Sequence, residues 1–160
     1  MLTRRFVILS GAALTLFPVG DRRARAAPGG FPVSHGDDEW RKRLTDKQYY
    51  ILRDHGTEHP YTSALNDEKR RGTFICAGCD AELFSSATKY DSRTGWPSFW
   101  APLDGAVGES EDRSHGMVRT EVHCARCGGH LGHVFTDGPR PTGLRYCING
   151  DAMAFLPMAE

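Results

Sequence analysis

Two Cys-x-x-Cys knuckles constrain this chain more than any other feature of its sequence. They read Cys76-Ala-Gly-Cys79 and Cys124-Ala-Arg-Cys127, and 44 residues lie between them. Four thiolates at this spacing can close a tetrahedron around zinc at about 2.3 Å per bond. A local zinc ribbon leaves only roughly 15 to 20 residues between its pairs. We therefore expect a zinc site that holds two distant hairpins together, with no open ligand position and hence a structural role.

Two other chemistries fit the same four cysteines. An exported protein could form two disulfides in an oxidising compartment. Alternatively, one knuckle could be a thioredoxin-like redox pair. Two matching knuckles favour zinc over both alternatives. The prediction is one structural Zn²⁺ with Cys76, Cys79, Cys124 and Cys127 as its ligands.

The first 26 residues have the order of an export signal. Arg4 and Arg5 come directly before an apolar run over 6–17, and a small-x-small triplet suits cleavage after Ala26. The run is shorter than the roughly 20 apolar residues of a membrane span. Its Thr-Arg-Arg-x-Val-Ile start resembles a twin-arginine (Tat) signal. We predict a signal peptide and export, to the periplasm, by the twin-arginine route; an uncleaved anchor or a disordered basic tail are the alternatives.

The charge balance argues against nucleic acid as a partner. The whole chain has 20 basic and 20 acidic residues. Residues 1 to 26 hold five arginines and one aspartate, so the rest has 15 basic and 19 acidic residues, a net charge of −4. Phosphate binding needs clustered lysine and arginine. The densest basic cluster in this part, Lys69-Arg70-Arg71, is only three residues long.

The remaining chain divides into a leader and one domain. Residues 27–38 are rich in Gly and Pro and predict a flexible leader, and 39–160 is the size of one domain. Apolar residues at helical spacing over 39–55 predict one or two short helices. Beyond Gly72, short runs bounded by turn residues predict a mainly β fold of the sandwich or barrel kind. The runs are TFICAG, AELFSS, MVRTEVHC, HLGHVF, LRYCIN and MAFLPM.

The fifth cysteine, Cys147, stands outside the knuckles in GLRYCIN. An unpaired cysteine can be a buried filler, half of an intermolecular disulfide or a reactive thiol. On a strand, Arg145, Cys147 and Asn149 would emerge on one face. A guanidinium within reach stabilises a thiolate and lowers the thiol pKa. These neighbours favour the reactive thiol.

Two further stretches carry side chains suited to chemistry. GGHLGHVFTDG holds His130, His133 and Asp137. Histidines near a thiol fit an acid and a base whose pKa values are close to neutral, although an isolated histidine is usually a core residue. In GWPSFW, Trp96 stands between a glycine and a proline and could wall a small apolar pocket.

From about Leu44 to Asn149 the chain resembles the methionine-R-sulfoxide reductases, the MsrB family. The motifs are GTEHPYT, the two knuckles, KYDSRTGWPSFW, SHGMVRTEV, GGHLGHVFTDGP and GLRYCIN. The resemblance implies two antiparallel β-sheets with short N-terminal helices, and a zinc ion away from the catalytic thiol. It also implies reduction of the R epimer of methionine sulfoxide, free or in oxidised protein.

The family roles pass to matching positions. Cys147 matches the nucleophile, and Trp96 matches the aromatic residue that packs on the substrate methyl. The remaining matches are two histidines near the sulfoxide oxygen and three residues that position water and tune the thiol: His130 and His133, then Asp137, Arg145 and Asn149.

The chain departs from the family pattern at Thr94. Many members have a resolving cysteine here, which condenses with the sulfenic acid to form an internal disulfide. With the four knuckle cysteines assigned to zinc, no resolving thiol remains. We therefore expect an external reductant, a thioredoxin-like protein or a small thiol, and a monomeric enzyme. The alternatives are a non-enzymatic zinc-knuckle binding module and an exported metallochaperone.

Overall fold

The structure is a computed structural model that describes residues 30 to 159. The predicted signal peptide lies outside the described residues. Two short helices open this part of the chain, α1 (Asp37–Arg43) and α2 (Asp46–Leu52). Thr45 caps α2 through a capping box with Gln48, which satisfies two backbone N–H groups at the helix start. Neither these nor any other helix within residues 30–159 has the length and apolarity needed to cross a membrane.

The segment before α1 packs on the second cysteine knuckle. The ring of Phe31 meets His123 edge-on at 5.6 Å between centroids. The backbone N–H of Val33 donates to the carbonyl of Arg126 at 2.9 Å. The predicted leader ends at residue 38, whereas α1 already begins at Asp37. Residues 31–33 therefore belong to the packed structure around the knuckle.

Nine strands form two antiparallel sheets within the described part of the chain. They are β1 (Gly72–Cys76), β2 (Glu82–Ser85), β3 (Lys89–Tyr90), β4 (Ser98–Phe99), β5 (Val107–Asp112), β6 (Arg119–Cys124), β7 (His130–Phe135), β8 (Arg145–Ile148) and β9 (Met153–Pro157). The smaller sheet has the order β2-β1-β9, and the larger has the order β3-β4-β8-β7-β6-β5. The prediction of a mainly β fold with two antiparallel sheets and short N-terminal helices is confirmed.

The edge strand β5 is the main element that the sequence does not predict. Its residues, VGESED, lack an apolar alternation, and Glu109, Ser110 and Glu111 are exposed. The strand pairs with β6 along all six residues. Charged side chains on an edge strand discourage pairing with another chain. The tertiary pairing with β6 therefore makes a strand of a segment whose own pattern does not indicate one.

Three buried phenylalanines join the two sheets. Phe99 of β4 stacks on Phe84 of β2 at 4.4 Å between ring centroids and meets Phe74 of β1 edge-on at 4.9 Å. All three side chains are fully buried. Phe99 also lies opposite Tyr146 in the pairing of β4 with β8. This packing fixes β8 against the core, one residue before Cys147.

Candidate active site

Cys147 lies on β8 in the interior of the larger sheet. Its backbone faces Ser98 of β4 on one side and His133 of β7 on the other. The side chain is partly exposed. A Cβ added at Gly132 of β7 would clash with the backbone carbonyl of Cys147, so this glycine allows the two strands to approach closely. The thiol is therefore held on rigid backbone from both sides.

A small pocket of about 130 Å³ opens over the thiol. Its walls combine two aromatic side chains with a few polar groups. The lining residues are Thr57, Trp96, Arg119, Gly132, His133, Phe135, Cys147 and Asn149. The predicted residues Trp96, His133, Cys147 and Asn149 thus meet in one place. Such a mostly apolar pocket with few polar groups can hold a small side chain.

Burial raises the pKa of the Cys147 thiol, and the Arg145 guanidinium and the Thr94 hydroxyl only partly oppose this effect. The Thr94 Oγ1 atom lies 4.0 Å from the Cys147 Sγ atom. From the sequence we expected Arg145 to lower the thiol pKa. Arg145 acts in that direction, but withdrawing the sulfur from water disfavours the thiolate more strongly. The net pKa of Cys147 is therefore above its ordinary value.

Two substitutions should move the titration of Cys147 in opposite directions. Arg145→Met removes the positive charge that stabilises the thiolate, so the rise of the alkylation rate with pH should shift to higher pH. Asp137→Asn removes a carboxylate that raises the thiol pKa, so the same rise should shift to lower pH. The rate of reaction with iodoacetamide across pH measures both effects. Identical profiles for wild type and Arg145→Met would show that Arg145 does not act on the thiol.

Arg145 is held in place by two contacts. Its Nε and Nη2 atoms donate to the two carboxylate oxygens of Asp137 at 2.9 Å each. Its guanidinium also lies over the ring of Phe135, 4.4 Å from the centroid. The Asp137 side chain is 63% exposed and does not line the pocket. The structure therefore places Asp137 as the partner of Arg145 rather than as a group that faces a bound substrate.

The two predicted histidines occupy different places. His133 lines the pocket, and its Nε2 atom lies 2.8 Å from the Asp112 carboxylate. His130 is buried outside the pocket lining, with its Nδ1 atom 2.7 Å from Glu121. Burial lowers the pKa of both histidines, and the carboxylate partner of each works against this effect. His133 is therefore the histidine that a pocket ligand can reach.

Asp112 is a site residue that sequence reasoning missed. Hydrogen bonds from Ser114 and then from His133 hold the pKa of its carboxyl well below the usual range. The Arg119 Nη2 atom also lies 2.6 Å from the Asp112 Oδ2 atom. The carboxylate thus orients His133 and Arg119 at the pocket. Asp112 ends the unpredicted strand β5, so only the pairing of β5 with β6 brings it here.

Glu58 is the second residue that sequence reasoning missed, although it stands in the quoted motif GTEHPYT. Its two carboxylate oxygens accept from the backbone N–H groups of Gly150 and Asp151 at 2.7 and 2.9 Å. Its own backbone N–H donates to Asn149 Oδ1, and its carbonyl accepts from Trp96 Nε1. Burial raises the pKa of Glu58. The loop that carries Glu58 therefore holds both the end of β8 and the Trp96 side chain in place.

Asn149 lines the pocket, but its amide is also part of the framework. The Oδ1 atom accepts from the Glu58 backbone N–H at 3.1 Å, and Nδ2 donates to the Leu131 carbonyl at 3.0 Å. The side chain is buried. One Nδ2 hydrogen is left after these contacts. Asn149 therefore ties β8 to its neighbours and can offer at most one donor to the pocket.

The four knuckle cysteines meet in a second cluster, and none of them lines the pocket over Cys147. Their sulfur atoms all lie within 4.8 Å of one another. The Cys76–Cys127 and Cys79–Cys124 sulfur distances are 3.7 and 3.6 Å. A zinc tetrahedron with bonds of about 2.3 Å places its sulfurs about 3.8 Å apart, whereas a disulfide needs about 2.05 Å. The cluster fits a metal, and the two-disulfide alternative does not describe it.

Comparison with known proteins identifies the family. The SelR domain model matches residues 44–157. The peptide methionine sulfoxide reductase MsrB of Leptospira interrogans is 57% identical over 126 residues, covering 78% of this chain and 96% of the relative. That of Agrobacterium fabrum is 57% identical over 127 residues, covering 79% and 94%, and that of Saccharophagus degradans is 60% identical over 114 residues, covering 71% and 85%. The chain belongs to the MsrB family.

Membership in the MsrB family confirms the resemblance that the sequence motifs indicated. The matched range 44–157 contains both cysteine knuckles, the pocket and Cys147. Residues before Leu44, including the predicted signal peptide, lie outside the match. The match to the MsrB family therefore covers the folded domain, including the four-cysteine cluster and the pocket over Cys147.

Proposed function

We propose that the protein reduces the R epimer of methionine sulfoxide to methionine, free or within oxidised protein. The observation that carries this proposal is the Cys147 thiol in a 130 Å³ pocket walled by Trp96 and Phe135, with His133 beside it. The aromatic walls suit the methyl group and the aliphatic stem of the substrate. The polar side of the pocket suits the sulfoxide oxygen. The MsrB names of the relatives support the same activity.

The proposed reaction transfers one oxygen atom to Cys147. The thiolate attacks the sulfoxide sulfur and forms a sulfur–sulfur bond while the oxygen is protonated. The hydroxyl then passes to the cysteine sulfur as the sulfur–oxygen and sulfur–sulfur bonds break, which releases methionine and leaves a sulfenic acid. Methionine sulfur is reduced by two electrons, and the cysteine sulfur is oxidised by two. An imidazolium at His133 would keep one N–H on Asp112 and donate the other to the departing oxygen. The carboxylate of Asp112 stabilises this charged form.

We propose that an external thiol recycles Cys147. The side chain next to the thiol is Thr94, whose hydroxyl cannot form a disulfide. The four other cysteines lie together in the second cluster, which could hold a metal ion. A thiol from a thioredoxin-like protein or a small molecule would condense with the sulfenic acid and release water, and a second thiol would then free Cys147.

The four-cysteine cluster supports a proposed structural zinc ion. Cys76, Cys79, Cys124 and Cys127 would hold it, and when bound it would add its binding free energy to folding. We also propose export to the periplasm, which is supported by the twin-arginine pattern of residues 1–26. Oxidised exported proteins would then be the substrates.

A single-turnover assay tests the proposed reaction. Protein that has been reduced and freed of reductant is mixed with each sulfoxide epimer separately. We expect about one methionine per chain from the R epimer and none from the S epimer, because one thiol accepts one oxygen. Excess dithiothreitol should turn this single event into continuous turnover. Equal product from both epimers, or from neither, would contradict the proposal.

The mass of the same protein after single turnover tests the recycling step. A one-cysteine cycle leaves Cys147 heavier by one oxygen atom, or carrying a sulfenic-acid trap such as dimedone. An internal disulfide would instead lower the mass by two hydrogens. Thr94→Cys is the matched control, since it introduces a thiol beside Cys147 and should give the disulfide. A disulfide in the wild-type protein would disprove the one-cysteine cycle.

A further inference from the structure

A polar cleft of about 430 Å³ adjoins the pocket, and at one side of it His55, Glu121 and His130 meet. The Glu121 Oε1 atom lies 2.7 Å from the Nδ1 atom of His130 and 3.0 Å from that of His55. One donor atom from each of the three side chains falls within 4.8 Å of the others. The proposed reaction uses neither His55 nor Glu121.

The three side chains have the chemistry and spacing of metal ligands. Imidazole and carboxylate groups bind zinc, nickel and copper. Zinc bonds to these groups are about 2.0 to 2.2 Å long, so two neighbouring ligands of a tetrahedral ion lie about 3.3 to 3.6 Å apart. The Nδ1–Oε1 distances of 2.7 and 3.0 Å are shorter than this, as expected for hydrogen bonds that an ion would replace. The ligand atoms would have to move apart by less than about 1 Å to admit an ion.

His55, Glu121 and His130 differ in burial: two side chains are buried, and the third is accessible to an ion in solvent. The side chains of His130 and Glu121 are 3% and 12% exposed. His55 is 64% exposed and faces the open cleft. The His130 Nε2 atom is buried and has no hydrogen-bond partner among the described residues. Two fixed ligands and one reachable ligand would leave the remaining coordination positions to water.

The charge of the cleft favours a cation. Its lining has more carboxylates than guanidinium groups: Asp54, Glu111, Asp112 and Glu121 against Arg113 and Arg119. With neutral histidines this leaves two net negative charges. A cleft lined with one sign of charge raises the local concentration of counter-ions.

We propose that His55, Glu121 and His130 bind one divalent transition-metal ion, such as Ni²⁺ or Zn²⁺, separately from the four-cysteine cluster. In each neutral imidazole the proton then moves from Nδ1 to Nε2, so that the Nδ1 lone pair can bind the ion. The bound ion inhibits turnover, because its positive charge lies near His133, whose ring centroid is 5.4 Å from that of His130, and disfavours the His133 imidazolium that the proposed reaction uses. The inhibition rests on the proposed function; the binding does not.

Calorimetric titration with Ni²⁺ tests the binding. The zinc-loaded full chain carries Cys147→Ser, so that the reactive thiol cannot bind the metal. We expect one Ni²⁺ per chain, and at least about tenfold weaker binding after His55→Gln. His59→Gln is the matched control, because His59 is exposed and lies outside the cleft lining. It should leave the affinity unchanged.

A weaker affinity in His115→Gln but not in His55→Gln would place the ion elsewhere in the cleft and overturn the assignment. Equal Ni²⁺ affinities in the parent and His55→Gln would do the same.

Activity assays on proteins that keep Cys147, at a series of Ni²⁺ concentrations, test the inhibition. Wild type should lose turnover with added Ni²⁺, whereas His55→Gln should start at the same rate and resist at least about tenfold more Ni²⁺. Equal inhibition of both proteins would overturn the inhibitory role. A chain that binds Ni²⁺ but never reduces methionine sulfoxide would refute the proposed function and leave the metal site standing.

Discussion

Cys147→Ser is expected to lower the turnover of R-methionine sulfoxide by at least about 10⁴-fold. A serine hydroxyl at this position is a far weaker nucleophile than a thiolate, and it cannot carry the oxygen as a sulfenic acid. No other cysteine lines the pocket in the described part of the chain. Steady-state rates with excess dithiothreitol measure the loss.

Two controls separate a lost nucleophile from a damaged fold. Cys147→Ser should keep the zinc content and the thermal midpoint of the wild type, because the four-cysteine cluster is separate from the pocket. Thr94→Ser keeps the hydroxyl beside the thiol and should retain turnover within about tenfold. Turnover by Cys147→Ser close to the wild-type rate would rule out Cys147 as the nucleophile.

Cys124→Ser is expected to abolish zinc binding and to unfold the domain or leave it insoluble. The Cys124 side chain is completely buried in the cluster. The binding free energy of a structural zinc ion is about 10 to 16 kcal/mol. The free energy of unfolding of a typical domain is only about 5 to 15 kcal/mol, so the zinc contribution is of the same size or larger. Zinc per chain by atomic absorption and thermal unfolding by circular dichroism measure both effects.

Cys147→Ser is the matched variant for this experiment, since it also exchanges a cysteine for serine but lies outside the cluster. A Cys124→Ser protein with a full equivalent of zinc and the wild-type thermal midpoint would show that the cluster is not the structural metal site. Loss of zinc with an unchanged midpoint would show that the metal does not stabilise the fold.

Strands could be predicted where their own residues form a short apolar run bounded by turn residues. Each of the six short apolar runs contains a strand, and the capping pair Thr45 and Gln48 starts α2. The strand β5 could not be predicted, because its pairing partner rather than its own side chains makes it a strand. Asp112 was missed for the same reason.

The site was predictable where chemistry depends on residue type alone. A fifth cysteine outside the knuckles marked Cys147 as a candidate nucleophile, and the structure places it in the pocket. The direction in which the pKa of that thiol shifts could not be predicted, because its burial depends on the pocket walls that Trp96 and Phe135 form. Glu58 was also missed as a framework residue, since its partners lie about 90 residues further along the chain.

The sequence by itself determined the family, the class of fold, the separation of the four knuckle cysteines from the fifth, and the presence of threonine at position 94, because each of these follows from residue identity and local spacing. Only the tertiary structure decided that His133 reaches the pocket while His130 turns to Glu121. The tertiary structure likewise brings His55 to Glu121, beside His130. The physical reason is that desolvation and hydrogen bonding depend on distances between strands, which no local spacing specifies.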